Sequence, residues 1–184
     1  MIVIENNTDP NFTDVIAIAK EVWPKTYGSI LSKAQFDYMM DMMYSKASLQ
    51  EQANEKQHHF ILAKESDIPV GFASYEFDCN ATNKTKIHKI YILSTQQGKG
   101  IGKVLLDYIT IQAKIQDNTA VFLNVNKYNP ALHFYQRLGF DIVKEEVIDI
   151  GRGYIMDDYV MEKPILKKQL NGVSEKNKQQ GKNR

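Results

Sequence analysis

Apolar and polar residues alternate along the chain with two different periods. Residues 13–23 and 33–44 repeat apolar side chains every three or four positions, which is typical of amphipathic helices. The first helix is expected to stop before Pro24, the second to open at Ser32, and a third to cover residues 45–57. Short apolar runs then predict strands at residues 2–5, 59–64, 70–77, 87–93, 120–125, 140–150 and 159–163.

Two further helices fall between these strands. One follows the glycine-rich residues 98–102 and runs to about Gln116, and the other runs from Asn129 and Pro130 to Leu138. Helices first, then a hairpin, then alternating strands and helices predict a single mixed α/β domain over residues 1–164.

Charge divides the chain into two parts. The 184 residues contain 23 Lys and Arg against 22 Asp and Glu, so the net charge is +1. Six basic residues and one acidic residue fall within residues 165–184, which leaves −4 for residues 1–164. We expect residues 165–184 to form a basic, polar, disordered tail. Its scattered charges lack aromatic neighbours, so no nucleic-acid partner is predicted.

A cytoplasmic setting is expected from two features of the sequence. Cys79 is the single cysteine, which excludes an internal disulfide framework and fits a reducing compartment. The chain starts without a signal-peptide pattern, and no run of about 18 apolar residues predicts a membrane span.

The glycine-rich loop predicts a phosphate-binding site. A strand, a loop with alternating glycines and an amphipathic helix place unpaired backbone N–H groups at a helix N-terminus. The spacing fits neither the P-loop nor the dinucleotide fingerprint. It fits the Q/R-x-x-G-x-G/A signature for the pyrophosphate of coenzyme A, in the segment Gln97-Gly-Lys-Gly-Ile-Gly102.

A second segment carries the same resemblance. Residues 129–140 are similar to the N-x-x-A-x-x-F-Y-x-x-x-G-F block, with Leu132 one position off the usual spacing of the small residue, about 30 residues after the first motif. Together the two blocks resemble the GCN5-related N-acetyltransferase (GNAT) superfamily over most of the chain. The resemblance implies a mixed, mostly antiparallel central sheet flanked by helices. Softer motifs at residues 23–27, 88–92 and 153–159 resemble bacterial spermidine/spermine N-acetyltransferase-like proteins.

The resemblance implies direct transfer of an acetyl group from acetyl-CoA to a primary amine. Strand residues would pair with the pantetheine arm, the loop would hold the pyrophosphate, and Asn129 would contact coenzyme A or simply cap its helix. The coenzyme-binding candidates are Ile90, Tyr91, Ile92, Gln97, Gly98, Lys99, Gly100, Ile101, Gly102, Lys103 and Asn129. Tyr135 occupies the general-acid position of the family, although it could also just pack against Phe134.

The general base and the acceptor stay open at this point. Glu76 and His88 are the base candidates, and no metal site is expected because His58 and His59 should point to opposite faces of a strand. The acidic balance of residues 1–164, including Asp157 and Asp158, favours a small cationic acceptor such as a polyamine. Protein amines and amino sugars are the alternative acceptors. A non-catalytic acyl-CoA sensor is the alternative function, and a homodimer stays open.

Overall fold

The computed structural model of the chain describes residues 1–165, which form seven strands and five α-helices. The helices are α1 (Thr13–Tyr27), α2 (Lys33–Tyr44), α3 (Lys46–Asn54), α4 (Ile101–Ile115) and α5 (Ala131–Arg137). The strands are β1 (Ile2–Asn6), β2 (His59–Glu65), β3 (Ile68–Glu76), β4 (Thr85–Ile92), β5 (Ala120–Asn126), β6 (Asp141–Gly151) and β7 (Tyr154–Pro164). Of the predicted tail, only Ile165 belongs to the described residues.

All seven strands belong to one sheet in the order β1-β2-β3-β4-β5-β7-β6. Every neighbouring pair is antiparallel except β4 and β5, which run parallel. The predicted fold class, one mixed and mostly antiparallel sheet flanked by helices, is therefore confirmed.

Two apolar cores lie on opposite faces of this sheet. The helices α4 and α5 cover one face, where Leu105 and Ile109 of α4 are fully buried against strand residues such as Val121. The helices α1 to α3 cover the other face around Trp23 and Leu49. The helical repeat of apolar residues supplies these faces, because positions three and four apart meet the sheet together.

Helix α1 does not stop before Pro24, as the sequence predicted, but continues to Tyr27. Proline lacks the N–H that would bond to the carbonyl of Lys20, and both residues lie on the exposed side of the helix. Water can satisfy that carbonyl, so the helix tolerates the proline.

The last hairpin is longer than the sequence predicted, since β7 begins at Tyr154 and not at Tyr159. Arg152 and Gly153 form its two-residue turn with φ of 54° and 78°, the left-handed geometry that such tight hairpins require. None of the helices within residues 1–165 is long and apolar enough to cross a membrane.

Candidate active site

A cleft opens where the two parallel strands separate. Strands β4 and β5 pair only between Thr85–Ile87 and Val121–Leu123. Beyond this point residues 90–92 pair with β3 on one side, and within the described residues no strand pairs with their other side. The resulting cleft has a volume of about 790 Å³ and is lined by Ile90, Tyr91 and Ile92. A free main-chain edge of this kind can pair with an extended ligand.

The glycine-rich loop closes one end of this cleft. Gly98 and Gly100 both have φ of +79°, and no neighbouring atom would touch a Cβ on either residue. Gly100 precedes α4 without any side-chain cap, so the first N–H groups of the helix are left for a ligand. Gly102 instead allows close packing, because a Cβ there would lie 2.9 Å from Cζ of Phe134.

The polar side chains of the loop lie beside this helix end. Gln97 lines the cleft and donates through Nε2 to the carbonyl of Ile92 at 3.3 Å. Lys99 donates to Oε1 of Gln96 at 2.6 Å. Lys103 pairs with Asp107 one turn further along α4. Neither lysine lines the cleft itself, so their predicted charge acts from its rim.

Asn129, two residues before α5, and Tyr135 on α5 also line the cleft. Oδ1 of Asn129 accepts from the N–H of Ala131 at 2.9 Å, so this side chain satisfies the helix start as the structural interpretation predicted. Tyr135 is 7% exposed, and burial raises the pKa of its phenol. The phenol is therefore protonated at neutral pH, the state that a proton donor needs.

A second cavity of about 370 Å³ lies between the sheet and helices α1 to α3. We call it the acceptor cavity and the first one the coenzyme cleft, after the roles that the family resemblance predicts for them. Six residues line both: Tyr27, Ile87, His88, Lys89, Tyr91 and Asn124. A group held in one cavity can therefore meet a group held in the other at this junction.

A β-bulge shapes the junction. Ile87 pairs with Tyr75 and Lys89 pairs with Ser74, so His88 is the extra residue in β4. Ile87 belongs to the core under α4, whereas His88 stacks on His58 and Lys89 reaches α3. Two consecutive side chains consequently point toward the acceptor cavity.

The two predicted base candidates contact each other. Nε2 of His88 lies 2.9 Å from Oε2 of Glu76, and the ring of His58 stacks on His88 at 3.7 Å. Burial lowers the pKa of both histidines, and neighbouring Lys89 adds to the effect. Both rings are therefore neutral at pH 7.

The sequence did not predict this cluster, because His58 precedes β2, Glu76 ends β3 and His88 lies in the middle of β4. Their ligand atoms lie within 4.8 Å of one another, a spacing that a metal ion could bridge. However, the imidazole planes are inclined by only 18°. The lone pairs of the two imidazoles therefore lie in nearly parallel planes, which is a poor geometry for binding one shared ion.

A buried carboxylate also lines the acceptor cavity. Asp158 on β7 is 1% exposed, and neither carboxylate oxygen has a hydrogen-bond partner within residues 1–165. Burial, with Asp157 and Glu146 nearby, raises the pKa of Asp158 to about 6. From the sequence, Asp158 is expected only to contribute to the acidic balance of residues 1–164. Its neighbour Asp157 instead pairs with Lys127 at 2.7 Å.

The fold and the coenzyme cleft define an acyl-CoA-dependent transferase, and comparison with known families agrees. Residues 30–156 match the family model described as an acetyltransferase (GNAT) domain, which covers well over half of the chain. The chain therefore belongs to the GNAT family. It is an acetyl-CoA-dependent N-acetyltransferase, and acetyl-CoA is its co-substrate.

Three proteins of known name are similar to this chain. The [ribosomal protein bS18]-alanine N-acetyltransferase of Haemophilus influenzae is 29% identical over 111 residues, which cover 60% of this chain and 70% of that protein. The L-amino acid N-acyltransferase MnaT of Escherichia coli is 28% identical over 96 residues, 50% of this chain and 54% of that protein. The PaiA N-acetyltransferase of Thermoplasma acidophilum, solved with coenzyme A, superposes with a TM-score of 0.74 at 25% identity. The superposition covers 89% of this chain and 99% of that structure.

Proposed function

We propose that the protein transfers the acetyl group of acetyl-CoA directly to the primary amine of a small acceptor bound in the acceptor cavity. The observation that carries this proposal is Asp158, a buried carboxylate without a donor. An unpartnered buried carboxylate is costly, and an ammonium group is the ligand that relieves that cost.

The proposed chemistry uses residues on both sides of the junction. A primary ammonium has a pKa near 10.4, so it must lose a proton to become a nucleophile. The ammonium first releases one proton to solvent. As the nitrogen bonds to the thioester carbonyl carbon it becomes positively charged, and Asp158 can accept one of its two remaining protons. The carbon–sulfur bond then breaks, and the departing thiolate takes the phenol proton of Tyr135.

The contacts of the other base candidates support Asp158. Glu76 and His88 already bond to each other, whereas both oxygens of Asp158 are free to receive an acceptor. His88 lines the junction and stays the second candidate.

The proposed coenzyme contacts follow the same cleft. The free edge of residues 90–92 would pair with the pantetheine arm, and the backbone N–H groups that open α4 would hold the pyrophosphate. Asn129 lines the same cleft and would approach the coenzyme from α5.

The class of acceptor is not fixed by the relatives. One is named for a ribosomal-protein alanine and another for L-amino acids, so the narrower resemblance to spermidine/spermine enzymes is not confirmed. The cavity volume of about 370 Å³ supports a small acceptor. A polyamine acceptor, a homodimer, a cytoplasmic location and a basic tail all stay predictions.

A thiol-release assay tests the proposal. Purified protein is given acetyl-CoA and a panel of primary amines that includes spermidine, amino sugars, amino acids and peptides with free N-termini. We expect acetylation of at least one small amine, and Asp158→Asn should lower kcat/KM about a hundredfold. The exposed Asp141→Asn on β6 is the matched control.

Measurements of coenzyme A binding distinguish the proposed enzyme from the alternative, a non-catalytic sensor. Coenzyme A binding without thiol release from any amine would overturn the proposal in favour of a non-catalytic acyl-CoA sensor. Acetylation of peptides alone would instead refute the small acceptor.

A further inference from the structure

The acceptor cavity carries positive as well as negative side chains. Three lysines line it together with Asp158: Lys56, Lys86 and Lys89. Lys56 is largely solvated and pairs with Glu51 at 2.8 Å. The other two have no carboxylate oxygen within 4.0 Å anywhere in residues 1–165. Lys86 is nevertheless close enough to Asp158 and Glu146 for its charge to oppose a rise in the pKa of either carboxyl group. Lys89 has no such acidic neighbour, so the cavity holds a buried acid and a buried lysine that form no ion pair within 4.0 Å in the described residues.

Lys89 is the more deeply buried of these two lysines, since the residue is 9% exposed. Its ammonium donates to Oε1 of Gln52 and lies 5.7 Å and 5.8 Å from the ring centroids of Tyr44 and Phe60. These contacts supply one hydrogen bond and two aromatic faces but no counter-ion. Burial, with Lys56 nearby, lowers the pKa of Lys89 to about 7, as expected for a cation without an anion.

We propose that the acceptor carries an anionic group in addition to its amine, with the amine at Asp158 and the anionic group facing Lys86 and Lys89. This inference rests on the proposed function and adds the substrate class. Both a carboxylate and a phosphate have the required chemistry. An amphoteric acceptor supplies an ion-pair partner to Asp158 and to Lys89, neither of which has one within 4.0 Å in the described chain.

The lysines argue against a purely cationic acceptor. A polyamine that placed one ammonium at Asp158 would extend its other ammonium groups through a small cavity that also contains Lys86 and Lys89. Like charges in a desolvated site repel strongly. The charge balance of residues 1–164, which favoured a polyamine, is an average that does not describe this cavity.

The remaining wall suits an apolar part of the acceptor. Several apolar side chains also line the cavity: Trp23, Met39, Met43 and Met156. Methionine side chains adapt to different shapes, so several apolar groups should fit. The inferred substrate is therefore a small amino acid-like molecule with an apolar body.

Matched acceptors test the inference. The panel contains apolar L-amino acids, their carboxamides, the corresponding decarboxylated amines, O-phosphoethanolamine and spermidine, with thiol release and product mass as readouts. An amide keeps the amine and side chain but lacks the anion, and it also imitates a protein N-terminus. We expect kcat/KM to be about tenfold or more higher for the acids than for their amides. A preference for O-phosphoethanolamine over those acids would identify phosphate as the anionic group.

Lysine variants locate the anionic group. Lys89→Met should raise KM for the preferred anionic acceptor about tenfold and lower the ratio of kcat/KM for that acceptor to kcat/KM for its amide by a similar factor. Lys86→Met should act in the same direction and serves as the second variant if Lys89→Met folds poorly. Lys33→Met on the exposed face of α2 is the matched control.

The outcomes separate this inference from the proposed function. Equal or better turnover of amides, decarboxylated amines or spermidine overturns the inference and leaves the proposed function intact. Thiol release from no amine at all overturns both. A Lys89→Met variant that lowers turnover of acids and amides alike would show that Lys89 has a structural role, and would also refute the assignment.

Discussion

The coenzyme cleft and the acceptor cavity share six lining residues but present different chemical groups to a ligand. The cleft presents main-chain groups, from the free edge of residues 90–92 and from the uncapped start of α4. The acceptor cavity presents side chains from α1, α2, α3, β4, β5 and β7. Main-chain recognition is encoded in one short segment, whereas the side-chain recognition depends on the whole fold.

The largest expected effect tests whether the two regions act separately in catalysis. Tyr135→Phe removes a buried phenol proton without changing the main chain of the cleft. We expect kcat to fall a hundredfold or more while the Kd of acetyl-CoA stays within twofold. Steady-state kinetics and calorimetric binding give the two numbers.

Tyr108→Phe is the control for this prediction. Tyr108 lies on α4 and packs against the core on that face of the sheet. A change of kcat below twofold in Tyr135→Phe would exclude the tyrosine as proton donor. A matching loss of coenzyme affinity would show that the division between binding and transfer is wrong.

The second prediction concerns the stability cost of the acceptor cavity. The pKa of Asp158 is about 6 in the fold against 3.8 for the free side chain, so the folded protein holds this proton more tightly. The resulting stability is present below about pH 4 and is lost as the pH rises through 6. At pH 8, Asp158→Asn should therefore raise the free energy of unfolding by up to about 3 kcal/mol.

Urea unfolding at several pH values measures this difference. The gain should shrink to less than about 1 kcal/mol at pH 4, because the wild-type carboxyl group is then protonated in the fold. Asp141→Asn should show no comparable pH dependence. A variant that is less stable than the wild type at pH 8 would mean that Asp158 has a partner in the fold.

The smallest effect tests the cleft. Gly100 and Gly153 have nearly the same φ, +79° and +78°, and a Cβ on either would meet no atom within 4 Å. Alanine at either position should destabilise the fold by a similar 1–2 kcal/mol. Only Gly100→Ala should weaken coenzyme A binding, by about tenfold, because its methyl group enters the space in front of the α4 N–H groups.

Binding assays and melting curves of the two variants compare them directly. If both bind coenzyme A as the wild type does, the glycine loop is not the pyrophosphate site. If both lose affinity equally, the loss reflects stability and not the loop.

The same contrast explains what the sequence could and could not predict. Gln97 to Gly102 is a local pattern in which the glycine conformations and the helix start are fixed by neighbouring residues, so a glycine-rich loop at an uncapped helix start could be predicted, and its role in binding coenzyme A stays a prediction. Asp158 offers no such pattern. Its importance arises from burial between β5 and β6, which depends on the strand order β5-β7-β6.

Local rules also failed where tertiary position decides the outcome. Pro24 should end a helix, but it lies on the exposed side of α1 and costs little there. The sequence brings His58 next to His59, whose side chains should point to opposite faces of a strand. The contact in the fold instead joins His58 to His88, on the far side of β3. The bulge at His88 likewise needs knowledge of the strand register.

The separation of β4 and β5 after Ile87 and Leu123 has a consequence for how the substrate specificity of this enzyme can evolve. Main-chain amides at the donor edge survive almost every codon change, because every amino acid except proline supplies them. Asp158 and Lys89, by contrast, can each be exchanged by a single mutation. Selection can therefore rebuild the acceptor side while the acyl donor stays the same, so a lineage can acquire new substrates without losing its coenzyme.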